Sequence, residues 1–77
     1  MVTSQEILEI FSKRFRQLLN DNKLDLQKLS DEIGIARSTM NDWKLGKKMP
    51  GADGVRKLAD YFNITTDYLL GKTDFEQ

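Results

Sequence analysis

The sequence predicts an all-α domain of five helices, at about 4–22, 26–33, 37–44, 53–62 and 66–70. Two observations carry this prediction. Apolar residues recur three and four positions apart within each segment, which is the periodicity of an amphipathic helix. Glycines and polar capping residues stand between the segments, where helices begin and end. With 77 residues in all, we expect one domain, 1–77, near the smallest size that a single core can stabilise.

Composition removes several classes of function. The chain contains no cysteine and no histidine, so disulfides, thiolate zinc sites and histidine-based catalysis are excluded. No glycine-rich phosphate loop or paired carboxylates are present, and we therefore expect no enzyme, no metal, no cofactor and no small-molecule substrate. The sequence has no apolar run suited to a signal peptide or a membrane span, which favours a cytoplasmic protein without membrane contact.

The first helix is predicted from Ser4, as its N-cap, to about Asn22. Its buried face is an apolar stripe at helical spacing, made of Ile7, Leu8, Phe11, Phe15, Leu18 and Leu19. Its solvated face is predicted to hold Lys13, Arg14, Arg16 and Gln17. Most of this stripe is expected to form the core.

The next two helices lie close together in the stretch 26–45. Asp25 is the expected N-cap, and Gly34 stands where the chain has to turn, in a backbone conformation that glycine adopts easily. Beyond the turn, Met40 and Trp43 are three residues apart on one helical face and are predicted to be buried. The opposite face is polar. Two short helices joined by a glycine turn indicate a helix-turn-helix.

This stretch resembles the helix-turn-helix of the Cro/CI-type family (lambda-repressor-like, XRE) of DNA-binding domains. The resemblance continues through LGKKMP at 45–50 and KLADYFNITTDYLLG at 57–71, and so covers most of the chain. It implies a five-helix lambda-repressor-like domain that binds double-stranded DNA sequence-specifically, as a phage or bacterial repressor or regulator. It also implies a homodimer on an inverted-repeat operator. Residues 1–10 are then a helical extension and residues 72–77 a short tail.

By this resemblance, the third helix enters the major groove and contacts base edges. The residues implied are Ala36, Arg37, Ser38, Asn41 and Asp42. Their chemistry suits the role, because Arg37 can form a bidentate pair with guanine, Asn41 with adenine, and Asp42 can accept from cytosine. The alternatives are that these are solvated polar residues, or that Asp42 pairs with a neighbouring lysine.

Phosphate contacts are expected on both sides of this helix. The predicted residues are Leu26, through its backbone N–H, and Gln27, Thr39, Lys44, Lys47 and Lys48. The segment 37–57 carries a net charge of +4, although the whole chain is neutral.

The family commonly has a polar pair that touches phosphate where this chain has Asp25 and Leu26. Many members also pair Arg with Glu at the positions held here by Leu19 and Lys44. Gly54, inside the fourth helix, is expected to let its backbone approach a phosphate.

The resemblance places the dimer contact on the last helix and the tail, where Tyr68, Leu69 and Phe75 are the candidates. Ile7, with Leu8 and Ile10, lies in the helical extension, and we expect this part to cover a partner. The alternative function is a protein-binding module of antitoxin or anti-repressor type, favoured by the zero net charge and by acidic Asp25 and Asp42. Whether the chain is full length or the N-terminal domain of a longer protein is left open by the sequence.

Overall fold

A computed structural model describes residues 1–76 and contains five α-helices and no strand in that range. The helices are α1 (Ser4–Asp21), α2 (Leu26–Ile33), α3 (Arg37–Lys44), α4 (Ala52–Phe62) and α5 (Thr66–Leu69). The predicted fold class is confirmed, and each predicted boundary is correct to within one residue. Residue 77 of the predicted tail lies outside the described residues. Within residues 1–76, no helix is long and apolar enough to cross a membrane.

Two helix starts show how the chain is capped. The prediction that Ser4 caps α1 is wrong, because the Thr3 hydroxyl accepts the hydrogen bond from the backbone N–H of Glu6 at 3.1 Å. Threonine followed three residues later by glutamate has the spacing of a capping box, which explains the earlier start. Asp25 caps α2 as predicted, and its carboxylate accepts from the backbone N–H of Lys28 at 2.8 Å.

A residue with left-handed backbone follows each of the five helices, and three of these residues bear on the predicted boundaries. Gly34 ends α2 with φ +72°, as predicted. Asn63 ends α4 in the same conformation, with φ +56°. After α3, Leu45 is the C-cap, and Gly46, with φ +74°, follows it. The tight turn at Gly34 sets the direction in which α3 leaves α2.

An aromatic cluster fixes α3 on α1. The rings of Phe11 and Phe15 stack 5.8 Å apart, and the indole of Trp43 lies edge-on to them at 6.3 and 6.2 Å. Met40 is fully buried beside them, so the prediction that Met40 and Trp43 belong to the core is confirmed. The buried Ser12 hydroxyl donates to the Trp43 carbonyl at 2.8 Å. One face of α3 is therefore committed to the core.

Gly54 is explained by packing. It is buried, and a Cβ at this position would lie 3.0 Å from the Cβ of Pro50 and 3.1 Å from Cη2 of Trp43. Glycine costs roughly 1 kcal/mol inside a helix relative to alanine, and here it makes room for the indole. The expectation that Gly54 serves a phosphate contact is corrected, because a buried position against Trp43 is closed to DNA.

Arg14 does not lie on a solvated face, as the sequence predicted. Its side chain is 16 % exposed, and its guanidinium lies 4.2 Å from the centre of the Tyr68 ring. The same group donates to the Tyr68 carbonyl and, at 2.6 Å, to the Thr73 carbonyl, and it pairs with Asp74 at 3.1 Å. Arg14 therefore attaches α5 and the segment after it to α1.

The four predicted dimer residues differ in their surroundings. Leu69 has no exposed surface and packs in the core of its own domain, so its assignment to a dimer contact is corrected. Ile10, of the helical extension, packs on Gly71, where a Cβ would lie 2.8 Å from Ile10 Cγ2. Ile7 and Tyr68 are half-buried. Phe75 is 75 % exposed, and its role as a contact stays a prediction.

Candidate nucleic-acid interface

The outer face of α3 is polar because its inner face is held in the core. Arg37, Ser38, Thr39 and Asn41 are all exposed, and Ala36 is exposed at the N-cap position just before them. No side chain caps the first N–H groups of α3. The structure thus brings four of the five predicted base-contact residues together on one exposed surface at the N-terminal half of a helix.

Asp42, the fifth, has a different environment. It is half-buried, and its carboxylate lies 3.9 Å from Nζ of Lys48. The alternative interpretation, a pair with a neighbouring lysine, therefore matches the geometry, although a pair at this distance with an exposed lysine contributes little stability. Lys47 is exposed and closes α3 through its backbone N–H, which donates to the Asp42 carbonyl at 2.8 Å.

A cleft of about 670 Å³, which we call the α3 cleft, opens between the end of α1, the start of α2 and α3. The polar residues that line it are Arg16, Asn20, Lys23, Asp25, Arg37, Asn41 and Lys44. Two predicted base-contact residues, Arg37 and Asn41, thus share a cavity with Lys44, a predicted phosphate contact. Arg16 and Lys23 also line the cleft, and neither was predicted to belong to the site.

Arg16 is placed in the cleft by a backbone contact. Its Nη1 donates to the Lys44 carbonyl at 2.8 Å, in the last turn of α3. Lys44 itself is half-buried, and Leu19, which stands where many relatives of the Cro/CI type have arginine, is buried in the core. The family pattern pairs that arginine with a glutamate at position 44, so the change of both residues leaves neither charge stranded. Lys44 makes no ion pair within the described residues.

The remaining predicted phosphate residues lie at the start of α2 and on α3. The Leu26 side chain is buried, so only its backbone N–H is directed to the helix N-terminus, where anions are favoured. Gln27 is exposed, and its amide donates to the Asp31 carboxylate at 3.0 Å. Asp25 brings a negative charge to the same helix end, although its carboxylate is engaged in capping.

Other ionisable side chains lie outside the α3 cleft. Partial desolvation, together with a hydrogen bond to Glu32 and the negative charge of Glu32, raises the pKa of Tyr61 above its usual value. Tyr61 lies on α4 and Glu32 on α2. Within residues 1–76, no group of three or more acidic, cysteine or histidine side chains is arranged to hold a metal ion.

A buried α1–α3 aromatic cluster, a glycine turn before α3 and a polar outer face on α3 together define a helix-turn-helix domain of Cro/CI type. The chain belongs to this family: the model of the family described as "Helix-turn-helix domain" matches residues 12–74. The relatives that match the chain are named as transcriptional regulators, and the family is non-enzymatic. No solved structure shows significant similarity to the chain.

Curated relatives are found in two bacteria. The chain is 35 % identical over 65 residues to YobD, an uncharacterized HTH-type transcriptional regulator of Bacillus subtilis, covering 84 % of this chain and 58 % of YobD. It is 34 % identical over 64 residues to the HTH-type transcriptional regulator AnsR of the same species, covering 83 % and 55 %. The HTH-type transcriptional activator BcrR of Enterococcus faecalis is 25 % identical over 60 residues, covering 78 % and 29 %. The chain spans about half the length of YobD and AnsR.

Proposed function

We propose that this protein binds double-stranded DNA sequence-specifically through α3 and regulates transcription. The observation that carries this proposal is the exposed polar face formed by Arg37, Ser38 and Asn41, held rigidly by the burial of Met40 and Trp43 on the opposite face. A major groove admits one helix, and the N-terminal side chains of that helix reach base edges. Relatives named as transcriptional regulators support the same function.

The proposed contacts divide by chemistry. Arg37 pairs with guanine and Asn41 with adenine, while Ser38 and Ala36 lie beside them against the bases. Lys44, Lys47 and the Leu26 N–H contact phosphates, which gives affinity without sequence information. The proposal also includes weaker contacts. Asp42 contacts a base, and three further residues contact phosphates: Gln27, Thr39 and Lys48.

The protein would act as a homodimer on an inverted-repeat operator. Half-site centres one helical turn apart, about 10–10.5 base pairs, match the two-fold symmetry of such a dimer. Tyr68, Phe75 and Ile7 are the proposed contacts between the two copies, which leaves the α3 faces open to DNA. Repression by occupancy of the operator in the cytoplasm is the simplest mechanism, although BcrR is named as an activator.

Selection of bound duplexes from a random DNA pool tests this function. We expect an enriched inverted repeat with half-site centres about 10–10.5 base pairs apart, containing a guanine and an adenine at the positions that face Arg37 and Asn41. A single unrepeated half-site would contradict the proposed dimer but would still support base contacts by α3. The absence of any enrichment, even at low salt, would contradict sequence-specific binding.

A protein-binding module is the second candidate function. The zero net charge favours it, because the whole chain has no net attraction for a polyanion. The carboxylates of Asp25 and Asp42, near the α3 surface, favour it because they repel a polyanion. The salt dependence of binding to generic duplex DNA separates the two functions. A steep loss of affinity with added salt indicates phosphate contacts, whereas no binding at low salt favours the protein partner.

Lys47→Ala is expected to weaken binding to all duplexes by the same factor. Lys47 is exposed beyond the end of α3, and removing one phosphate contact lowers the slope of log K against log salt by about 0.9. The measurement is a salt titration on the selected operator and on a scrambled duplex. Lys13→Ala is the matched control, since Lys13 is an exposed lysine on α1 that does not line the α3 cleft. A loss confined to the operator would contradict the phosphate role.

A further inference from the structure

The α3 cleft concentrates positive charge that the protein itself does not neutralise. Four basic side chains and one acidic side chain line it, in a chain whose net charge is zero. The ion pairs among residues 1–76 join Arg14 to Asp74, Lys48 to Asp42 and Arg56 to Asp60. Arg16, Lys23, Arg37 and Lys44 are in none of them. Concave surfaces lined by one sign of charge focus the field and attract the opposite charge.

A backbone contact holds the Arg16 guanidinium, and the fold fixes the backbone position of Lys23. Arg16 is fixed by the hydrogen bond from Nη1 to the Lys44 carbonyl, and its remaining N–H donors have no acceptor among the described residues. Lys23 occupies the short turn between α1 and α2 with φ +50°, and its N–H donates to the Asn20 carbonyl at 3.1 Å. A left-handed backbone is costly for a lysine, so its position in this turn is set by the fold.

The anion that fits this cleft is part of the DNA that α3 would contact. Arg37 and Asn41 form both the outer face of α3 and one wall of the cleft, so a strand whose bases meet α3 brings its backbone to the opposite wall. We infer that the α3 cleft binds a phosphate of the DNA backbone, held by Arg16 and Lys23 together with Lys44. This inference rests on the proposed DNA-binding function. It adds an anchor separate from Lys47 and Lys48, which do not line the cleft.

Neutralising variants test the cleft without disturbing the fold. Lys23→Asn suits the left-handed turn, because asparagine tolerates this conformation better than most residues. Arg16→Gln keeps an amide that can donate to the Lys44 carbonyl. Lys13→Gln is the control on the same helix, since Lys13 is exposed and lies outside the cleft. Thermal unfolding by circular dichroism confirms that each variant is folded.

Salt titrations with operator and scrambled duplex give the first readout. We expect each cleft variant to lower the slope of log K against log salt relative to wild type, on both duplexes, by up to about 0.9, because the three cations share one phosphate. The Lys13→Gln slope is expected to equal that of wild type. Cleft variants that keep the wild-type slope would overturn the inference. The proposed function would still stand in that case, because wild type would still bind DNA. Failure of the wild type itself to bind DNA would instead remove the proposed function.

Methylphosphonate linkages, which carry no charge, identify the phosphate. They are introduced one at a time along the selected operator, and the affinity of each duplex is measured for wild type and Lys23→Asn. We expect one position at which the uncharged linkage lowers the affinity of wild type more than it lowers the affinity of Lys23→Asn. Equal sensitivity of both proteins at every position would overturn the inference. So would saturable binding of inorganic phosphate alone at micromolar concentration, because it would assign the cleft to a small anion.

Asp25→Asn provides a gain of affinity as the complementary test. Asp25 is the acidic residue that lines the cleft, and asparagine caps a helix about as well as aspartate. Removing one negative charge near a bound phosphate is expected to tighten binding to every duplex about twofold to fivefold, the range of a single exposed charge interaction. Unchanged or weaker binding, with the thermal stability preserved, would contradict a phosphate in this cleft.

Discussion

Arg14→Ala is expected to lower the free energy of unfolding by about 2–4 kcal/mol, although Arg14 is a charged residue on a face that the sequence pattern leaves to solvent. For a domain of this size, each kcal/mol corresponds to roughly 4–8 °C in the melting temperature. Thermal unfolding of both proteins at the same pH and salt concentration measures the change. A loss this large from an arginine would match that of a core truncation.

The magnitude follows from what the guanidinium contacts. It donates to the carbonyls of Tyr68 and Thr73 in a part-buried setting, and truncation leaves both acceptors without this charged donor. The cation lies over the Tyr68 ring at 4.2 Å, which adds about 0.5–2 kcal/mol. The ion pair with Asp74 contributes little, since that carboxylate is 97 % exposed.

Three variants separate these contributions. Arg14→Lys keeps the charge but loses the planar fork that reaches two carbonyls, and an intermediate stability is expected. Asp74→Ala is expected to change the stability by less than about 1 kcal/mol. Lys13→Ala, at the exposed neighbouring residue, is expected to have a similarly small effect. An Arg14→Ala protein as stable as Lys13→Ala would show that α5 holds to α1 by apolar packing alone.

The helices were predictable because each one carries its own local signals. Asp25 caps α2 and Gly34 ends it with side-chain and backbone properties that operate within a few residues. The orientation of α3 was predictable for the same reason, since Met40 and Trp43 mark its buried face and leave Arg37 and Asn41 outside. The fold class and the composition of the outer α3 face therefore follow from short-range patterns.

Arg14 was wrongly assigned to the solvated face, and the contact of the exposed Arg16 was missed, because the partners of both are backbone carbonyls distant in the sequence. Arg16 reaches Lys44, 28 residues away, and Arg14 reaches Thr73, 59 residues away. A carbonyl is present at every residue, so the side-chain pattern contains no sign of which one an arginine will meet. Leu69 was misassigned for a related reason: an apolar residue on a short helix looks the same whether its own domain or a partner covers it.

Arg37→Ala is expected to weaken binding to the selected operator by about 1–3 kcal/mol, or roughly 5- to 150-fold, and to relax the preference at one base position. A bidentate pair with guanine discriminates against other bases because both donors of the arginine fork must find acceptors. Arg37 is exposed and makes no hydrogen bond or ion pair within the described residues, so its loss is expected to leave the stability unchanged.

Competition binding against operators substituted at each position distinguishes base reading from phosphate binding. If Arg37 reads a guanine, Arg37→Ala binds operators with any base at that position about equally, while wild type keeps its preference. Arg56→Ala is the matched control, since Arg56 is an exposed arginine on α4 that pairs with Asp60. A uniform loss across all substituted operators, with a lower salt slope, would move Arg37 into the phosphate-binding set of the α3 cleft. Both roles are open to Arg37 because it borders the base-reading face and that cleft. The experiment separates them because only base contacts depend on the DNA sequence.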